Sequence, residues 1–362
     1  MDVLTRLELI RNVGEEIITL EELRQLLETN PKPVAYDGFE PSGLAPIHFG
    51  IYRAINLKDL IKAGVHFKLF LADWHAWVNN KMGGDLERIR KVGEYFVEVW
   101  RAAGIDMSKV ELVWASDICS KREYWKKMII IGKNTTIKRA TRALTIMGRK
   151  EGEMQEVAQY LYPLMQAADI FELDVDICQL GLDQRRANIL AREVAERMKW
   201  KRPVAVHHHM LMGLQGKKQA EGFETNAEMD AEISSKMSKS RPESAIFVHD
   251  SFNEIKAKIA KAYCSPKDVD NNPMLEYCKY IIFRHFKEMK IERPAKFGGD
   301  ISFGNYKELE DAFRTGELHP ADLKNAVAIY LDKIVEPIRN HFERNKKSRE
   351  LYEFVRQQEI TR

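Results

Sequence analysis

With 362 residues the chain has room for two domains, each with its own core. Its 44% apolar and 31% charged residues fit a soluble globular protein; no apolar run is as long as a membrane span, and Asp2, Arg6 and Glu8 stand where a signal peptide would be apolar. A net charge of +3 leaves any anionic partner to a local patch, and Cys119, Cys178, Cys264 and Cys278, with no CxxC pairing, read as reduced thiols of a cytoplasmic chain.

Residues 1–30 predict two amphipathic helices, one with Leu4, Leu7 and Ile10 on a face, the next with Leu20, Leu23, Leu26 and Leu27. Thr19 and Glu22 have the spacing of a capping box for the second. The apolar run Pro33-Val34-Ala35 is followed by Tyr36-Asp37-Gly38-Phe39-Glu40-Pro41-Ser42-Gly43 and then Pro46-Ile47-His48-Phe49-Gly50. Ile51, Ala54, Ile55, Leu57, Leu60 and Ile61 take helical steps up to Gly64, a natural stop. Such a strand, loop and helix is either an ordinary turn or a phosphate site, because a helix N-terminus offers unpaired N–H groups. Residues 68–73 read as a buried parallel strand, Asp85 caps a helix running to Gly104, and 110–115 form a third strand. This alternation predicts a parallel sheet with right-handed crossovers, which binds ligands at its C-terminal strand ends. Tyr36 to Gly50 and Asp73 to His75 then share one rim.

Residues 120–150 crowd together Lys121, Arg122, Lys126, Lys127, Lys133, Lys138, Arg139, Arg142, Arg149 and Lys150, with Tyr124 and Trp125 among them. That is either a solvated helix face or a surface for a nucleic-acid backbone. Residues 154–171 predict a long apolar helix on which Tyr162, Gln166 and Asp169 share a face. Buried polar groups need partners, and three on one stripe favour a polar pocket over scattered core contacts. Residues 174–180 are strand-like, and Asp183 opens a helix with Gln184, Arg185 and Arg186.

A strand candidate at 203–211 carries His207, His208 and His209. Their side chains alternate, and no acidic or cysteine ligand stands at a metal-like spacing, so no structural metal is expected. The polar stretch 213–235 reads as a mobile loop leading into Lys236-Met237-Ser238-Lys239-Ser240. Beyond 245–255 the pattern turns helical, which marks a domain boundary. Pro320 suits the first turn of a helix whose apolar face is Leu323, Val327, Tyr330, Leu331 and Ile334, and Pro337 should end or kink it.

The early Pro46-x-His48-x-Gly50 and the late Lys236-to-Ser240 segment, within one parallel α/β domain, resemble the paired signatures of class I aminoacyl-tRNA synthetases. The pairing makes chemical sense: activating a carboxylate with ATP builds charge on the α-phosphate and the departing pyrophosphate, and His and Lys donors stabilise it. Tyr36-x-Gly38-Phe39-Glu40-Pro41-Ser42-Gly43, Tyr162-Pro163-x-Met165-Gln166-x-x-Asp169 and Gln184-Arg185 resemble tyrosyl-tRNA synthetases of the archaeal and eukaryotic branch. That likeness runs from about residue 30 to 340.

The resemblance implies an α/β fold: N-terminal helices (1–30), a Rossmann-like parallel-sheet catalytic domain (31–245) and an all-helical anticodon-binding domain (246–362). Within the catalytic domain it implies a basic helical connective segment (118–175) and a mobile loop (213–242). It implies a tyrosine–tRNA ligase, cytoplasmic and homodimeric, using ATP with Mg²⁺ and acting on tRNA for tyrosine. Tyr36 and Asp169 would bind the phenolic hydroxyl of tyrosine, and Tyr162, Gln166 and Gln184 its ammonium group. Gly38, His48, Gly50, Met210, Leu211, Gly213, Lys236, Met237, Ser238 and Lys239 would meet ATP, with His48, Lys236 and Lys239 catalytic. Phe297, His319 and Asp322 would meet the first anticodon base, and Arg185 and Arg186 the acceptor stem; without the resemblance, Phe297 reads as core and Asp322 as a helix-start carboxylate. The rivals are the sister tryptophanyl enzyme, disfavoured by Tyr36 with Asp169, and a catalytically silent tRNA-binding paralogue. One departure stands out. The family pattern ends His-x-Gly-His, and Ile51 occupies the place of the second histidine.

Overall fold

The computed structural model describes residues 1–149, 153, 156–239 and 241–358, apart from the Phe297 side chain. Six strands form the central sheet: β1 (Glu16–Ile18), β2 (Val34–Phe39), β3 (His66–Leu71), β4 (Val110–Trp114), β5 (Ile177–Gly181) and β6 (Val204–His208), in the order β1-β6-β5-β2-β3-β4. All neighbouring pairs are parallel except β1 with β6, where Glu16 faces His207. The expected βα alternation is therefore present, with one antiparallel edge strand too short to have a pattern of its own. Strands β5 and β6 are buried along their whole length, as strands covered on both faces must be.

The polar members of those strands are paired inside. Gln179 lies 2.7 Å from His208, while His207 bonds Asn188 at 2.9 Å and Glu16 at 2.7 Å. A wide turn, His48–Tyr52, leads into helix Arg53–Lys62, which closes at Gly64 with φ +80°. Thr19 and Glu22 do form a capping box on helix Leu20–Thr29. Of the helix expected over 154–171, the regular part is Tyr162–Glu172, entered through a tight 3₁₀ stretch, Val157–Leu161; Met154 lies outside the described residues.

Two expectations change. Within the segment read as a mobile loop, Ala227–Ser235 is a helix capped by Asn226. Polar contacts to the preceding loop hold it, with Asp230 accepting backbone N–H bonds from Glu221, Gly222 and Phe223, so no local apolar period announces it. Pro337 does not end its helix, which runs 25 residues from Pro320 to Arg344. Proline here removes a bond to the carbonyl of Lys333, and both residues lie on the exposed face of the helix, where a proline is tolerated.

The segment after residue 250 is helical but for one hairpin, β7 (Met289–Ile291) with β8 (Ile301–Phe303), whose loop contains Gly298 and Gly299 at φ +97° and +73°. One apolar core extends from Ile10 and Leu23 through Leu57 and Val206 to Ile255, Tyr277, Leu331 and Val355. No helix among the described residues is long and apolar enough to cross a membrane.

Candidate active site

The C-terminal ends of β2 and β5 meet helix Tyr162–Glu172 around a narrow cavity. Tyr36, Gly38, Glu40, His75, Tyr162, Gln166, Asp169 and Gln184 line it. Asp169 closes the inner end. Its Oδ1 accepts from the Tyr124 hydroxyl at 2.9 Å, and its Oδ2 lies 2.9 Å from His75 Nε2. Burial works against a charged His75, but Asp169 beside it more than offsets this and raises the imidazole's pKa. The Tyr36 hydroxyl is fully buried with no hydrogen-bond partner, and burial pushes its pKa well above that of a free phenol. It therefore stays a neutral O–H on the cavity wall, near Gln166.

The outer end of the cavity is polar in a different way. Gln166 Nε2 donates to Gln184 Oε1 at 3.2 Å, and Gln184 Nε2 donates to the Ile146 carbonyl at 3.0 Å. The Tyr162 hydroxyl donates to Glu40 at 2.6 Å, and Asn79 donates to the same carboxylate at 3.0 Å. Glu40 thus brings a negative charge beside Tyr162, Gln166 and Gln184, which suits an ammonium group.

An open cleft adjoins this cavity, lined by His48, Arg53, Lys81, Lys236, Ser238 and Lys239 among others. Lys236 Nζ lies 2.6 Å from Asp183. Burial would raise the Asp183 carboxyl, but Lys236 outweighs it and holds the pKa below the ordinary value. Lys239 Nζ donates to Ser42 Oγ at 3.3 Å and sits 4.6 Å from the centre of the Phe96 ring. Burial, with Lys81 nearby, brings its pKa down to about 7. Burial and the Lys239 charge also keep His48 well below its usual pKa, so it is a neutral ring with one N–H to give. Gly38 lines both cavities, where a side chain would intrude.

Other residues implied for ATP lie beneath the cleft. Met210 packs with Leu182 and Ile233, and Leu211 accepts from the Met237 N–H at 2.9 Å. Gly213 donates to the Ser235 carbonyl at 2.8 Å, so 211–213 and the Lys236 segment are stitched together. Gly50 faces the core: a Cβ there would come within 2.6 Å of Val248 Cγ1. Ile51 is likewise buried, at 5% exposure. The departure at position 51 therefore falls on a packing position, and Gly50 serves close approach of helix to core. Ser240 lies outside the described residues.

Arg185 and Arg186 begin helix Arg185–Met198, where Arg185 pairs with Glu16 at 2.9 Å and Arg186 with Glu224 at 3.1 Å. His319 caps helix Pro320–Arg344 by accepting from Ala321 N–H, and Asp322 is in its first turn. Arg293 ties the hairpin loop bearing Phe297 to this helix start, donating to the Gly299 and Glu317 carbonyls at 2.8 and 3.0 Å. In the basic segment, Lys121 and Lys127 pair with Glu172, and Arg139 with Glu193; Lys150 lies outside the described residues. Tyr124 is not on that surface at all but fully buried against Asp169. The sequence pattern assigns no site role to Tyr124, His75, Glu40 or Lys81, although Glu40 and His75 fall within the two stretches placed on the rim; their partners lie far along the chain.

A narrow cavity with a carboxylate at its base, opening into a cation-lined cleft on a mostly parallel sheet, agrees with the comparisons to known proteins. Residues 28–336 match the family model of class I tRNA synthetases for W and Y, and the chain belongs to that family. It is 45% identical to cytoplasmic tyrosine–tRNA ligase 1 of Arabidopsis thaliana, over 100% of this chain and 90% of that protein. It is also 45% identical to the tyrosine–tRNA ligase of a Saccharolobus islandicus strain, over 98% of each. The crystal structure of tyrosyl-tRNA synthetase with L-tyrosine from Pyrococcus horikoshii superposes with a TM-score of 0.89 at 42% identity, covering 98% of this chain and 100% of that one. Within the family the chain is accordingly of the tyrosine–tRNA ligase kind, archaeal and eukaryotic in type, and an ATP-dependent enzyme.

Proposed function

We propose that tyrosine enters the cavity ring first, its hydroxyl donating to Asp169 and accepting from Tyr36. The unpartnered, fully buried Tyr36 hydroxyl beside a clamped Asp169 carries this reading. A substrate without that hydroxyl leaves both groups unpaired in a dry site, and tyrosyl-tRNA synthetases are the standing example of such discrimination. The ammonium group is held by Tyr162, Gln166 and Gln184, with Glu40 supplying the counter-charge. The tyrosine carboxylate then faces the cleft.

In the first step a carboxylate oxygen bonds to the α-phosphorus of ATP as the bond to pyrophosphate breaks, the electron pair leaving with pyrophosphate. No protein group acts as nucleophile. His48 gives an N–H, and Lys236 and Lys239 give positive charge, to phosphate oxygens whose charge grows in the transition state. Gly38 lets the substrates approach the backbone, and segment 210–213 lies on the adenine side. Mg²⁺ enters as part of the ATP substrate, held by phosphates. In the second step a hydroxyl of the terminal adenosine of tRNA attacks the tyrosyl carbonyl and AMP leaves.

On the tRNA, Arg185 and Arg186 take the acceptor end, and Phe297, His319 and Asp322 take the first anticodon base. Residues 31–245 then serve as catalytic domain and 246–362 as anticodon-binding domain, in a cytoplasmic homodimer. The exposed Ile129, Ile137 and Val157 around the basic segment supply apolar surface that such a dimer would cover.

The amino-acid dependence of ATP–pyrophosphate exchange, in the wild type and in Asp169→Asn, tests the reading. Tyrosine supports exchange and tryptophan does not; the variant loses about 10- to 100-fold in kcat/KM for tyrosine, the worth of one charged hydrogen bond, with the ATP KM little changed. Exchange with tryptophan alone, or an unaffected variant, would overturn it.

A further inference from the structure

Three carboxylates from three separate parts of the chain converge on an imidazole that has no part in the chemistry above. His209, just past the end of β6, has Nδ1 2.9 Å from Glu15 Oε2 and 3.0 Å from Glu232 Oε1. Its Nε2 is 3.2 Å from Glu276 Oε1. The residue is only 9% exposed, and its ring stacks on Tyr280 with centroids 4.5 Å apart and planes within 13°. Two of the three carboxylates also grip the backbone that follows. Glu232 accepts from the Met210 N–H at 2.9 Å, and Glu276 from the Met212 N–H at 2.8 Å.

Each carboxylate belongs to a different element. Glu15 precedes β1; Glu232 is on helix Ala227–Ser235, which runs straight into Lys236; Glu276 is on helix Pro273–Tyr277. Gathering three negative groups around a neutral buried ring would be repulsive, whereas a doubly protonated ring neutralises part of that charge and stacks as a cation on Tyr280. Burial alone would depress the imidazole's pKa, but Glu15, Glu232 and Glu276 raise it well above the ordinary value. The other groups near the cluster are Tyr52, Tyr280, His208 and Lys279; Tyr52 and Tyr280 stay neutral, and burial holds His208 neutral. Lys279 lies by Glu15. Glu15 is the most exposed of the three at 41%, against 22% for Glu232 and 17% for Glu276, so the last two matter most.

We propose that His209 is a positioning residue for tyrosine activation: its ion pairs fix helix Ala227–Ser235, and with it Lys236 and Lys239, against the extended segment 210–213 and helix Pro273–Tyr277. It touches neither substrate nor ATP. It sets the register of the two lysines from behind, and links them to the helical segment through Glu276. The inference rests on the role given above to Lys236 and Lys239.

The test is the ratio of variant to wild-type kcat in tyrosine-dependent pyrophosphate exchange, across pH 6 to 9. Glu276→Gln removes one carboxylate and so lowers the proton affinity of His209 while keeping its size. The ratio starts near one at low pH, where both rings are charged, and falls about tenfold as pH rises and only the variant's ring discharges. Lys239 titrates in both proteins and cancels in the ratio. His209→Gln should show the reduced kcat at every pH, with the tyrosine KM unchanged. A ratio independent of pH would make the cluster merely structural and overturn the proposal. Stoichiometric zinc in the purified protein, lost in His209→Gln, would overturn it differently, by making the cluster a metal centre. Should Lys239→Ala leave the single-turnover rate untouched, the lysine assignment fails instead, whatever the ratio does.

Discussion

Lys239 is the residue at which burial and function pull against each other. Its ammonium is packed among Phe49, Phe96 and Ser42 with Lys81 nearby, and its pKa falls to about 7. A depressed lysine is charged below that pH and neutral above it. Affinity for ATP polyphosphate should therefore weaken above pH 7, while bound phosphate pulls the proton back. The expected outcome is a fall in kcat/KM for ATP of about tenfold per pH unit above 7, with kcat falling only at higher pH. Lys239→Arg, which cannot lose its proton in this range, removes the kcat/KM limb; a limb that persists in the variant belongs to another group. This lysine was legible in the sequence because it stands in a short motif. Tyr162, Gln166 and Asp169 were legible because helical spacing puts them on one stripe. Tyr124 was not: it sits in a run of cations that reads as surface, and only the approach of helix Arg122–Lys133 to helix Tyr162–Glu172 turns it onto Asp169.

At the scale of elements, strands and long helices were legible because each carries its own apolar period. The helix Ala227–Ser235 was not, because what holds it is a set of polar contacts to a preceding loop. Asp230 accepts from three backbone N–H groups and from Ser234 Oγ, and these bonds keep its carboxyl below the usual pKa despite burial. Asp230→Ala should free that loop and loosen the lysine segment behind it. We expect faster proteolytic nicking around 217–224 and a several-fold lower activation rate, with global melting shifted by less than about 1 kcal/mol. Unchanged cleavage would show that the loop is held by other contacts. Edge strand β1 was missed for a related reason. Three residues have no measurable period, and their pairing with β6 is reinforced by the Glu16–His207 contact.

For the whole molecule, the change from mixed to helical patterning near residue 250 was legible, but the way the parts join was not. Hydrophobic periodicity locates a buried face without naming what buries it. Asp322 lies far along the chain from the sheet, in the first turn of helix Pro320–Arg344. Asp322→Ala should lower tRNA charging about tenfold or more while tyrosyl-adenylate forms at the wild-type rate, since one lost hydrogen bond to a base edge costs 1–3 kcal/mol or about that factor. Equal losses in both steps would point to a folding defect. The shared apolar core, running from Ile10 to Val355 through both the sheet and the helical segment, has a consequence for how this protein can change. Neither half is a cassette. Cutting the chain at the pattern boundary strips each side of its packing partner, so exchange of the helical segment between relatives must carry matching residues at the Tyr52–Tyr280 ring contact and the Asp59–Arg284 pair. A functional exchange of the helical segment therefore needs compensating substitutions on the sheet side of the same core.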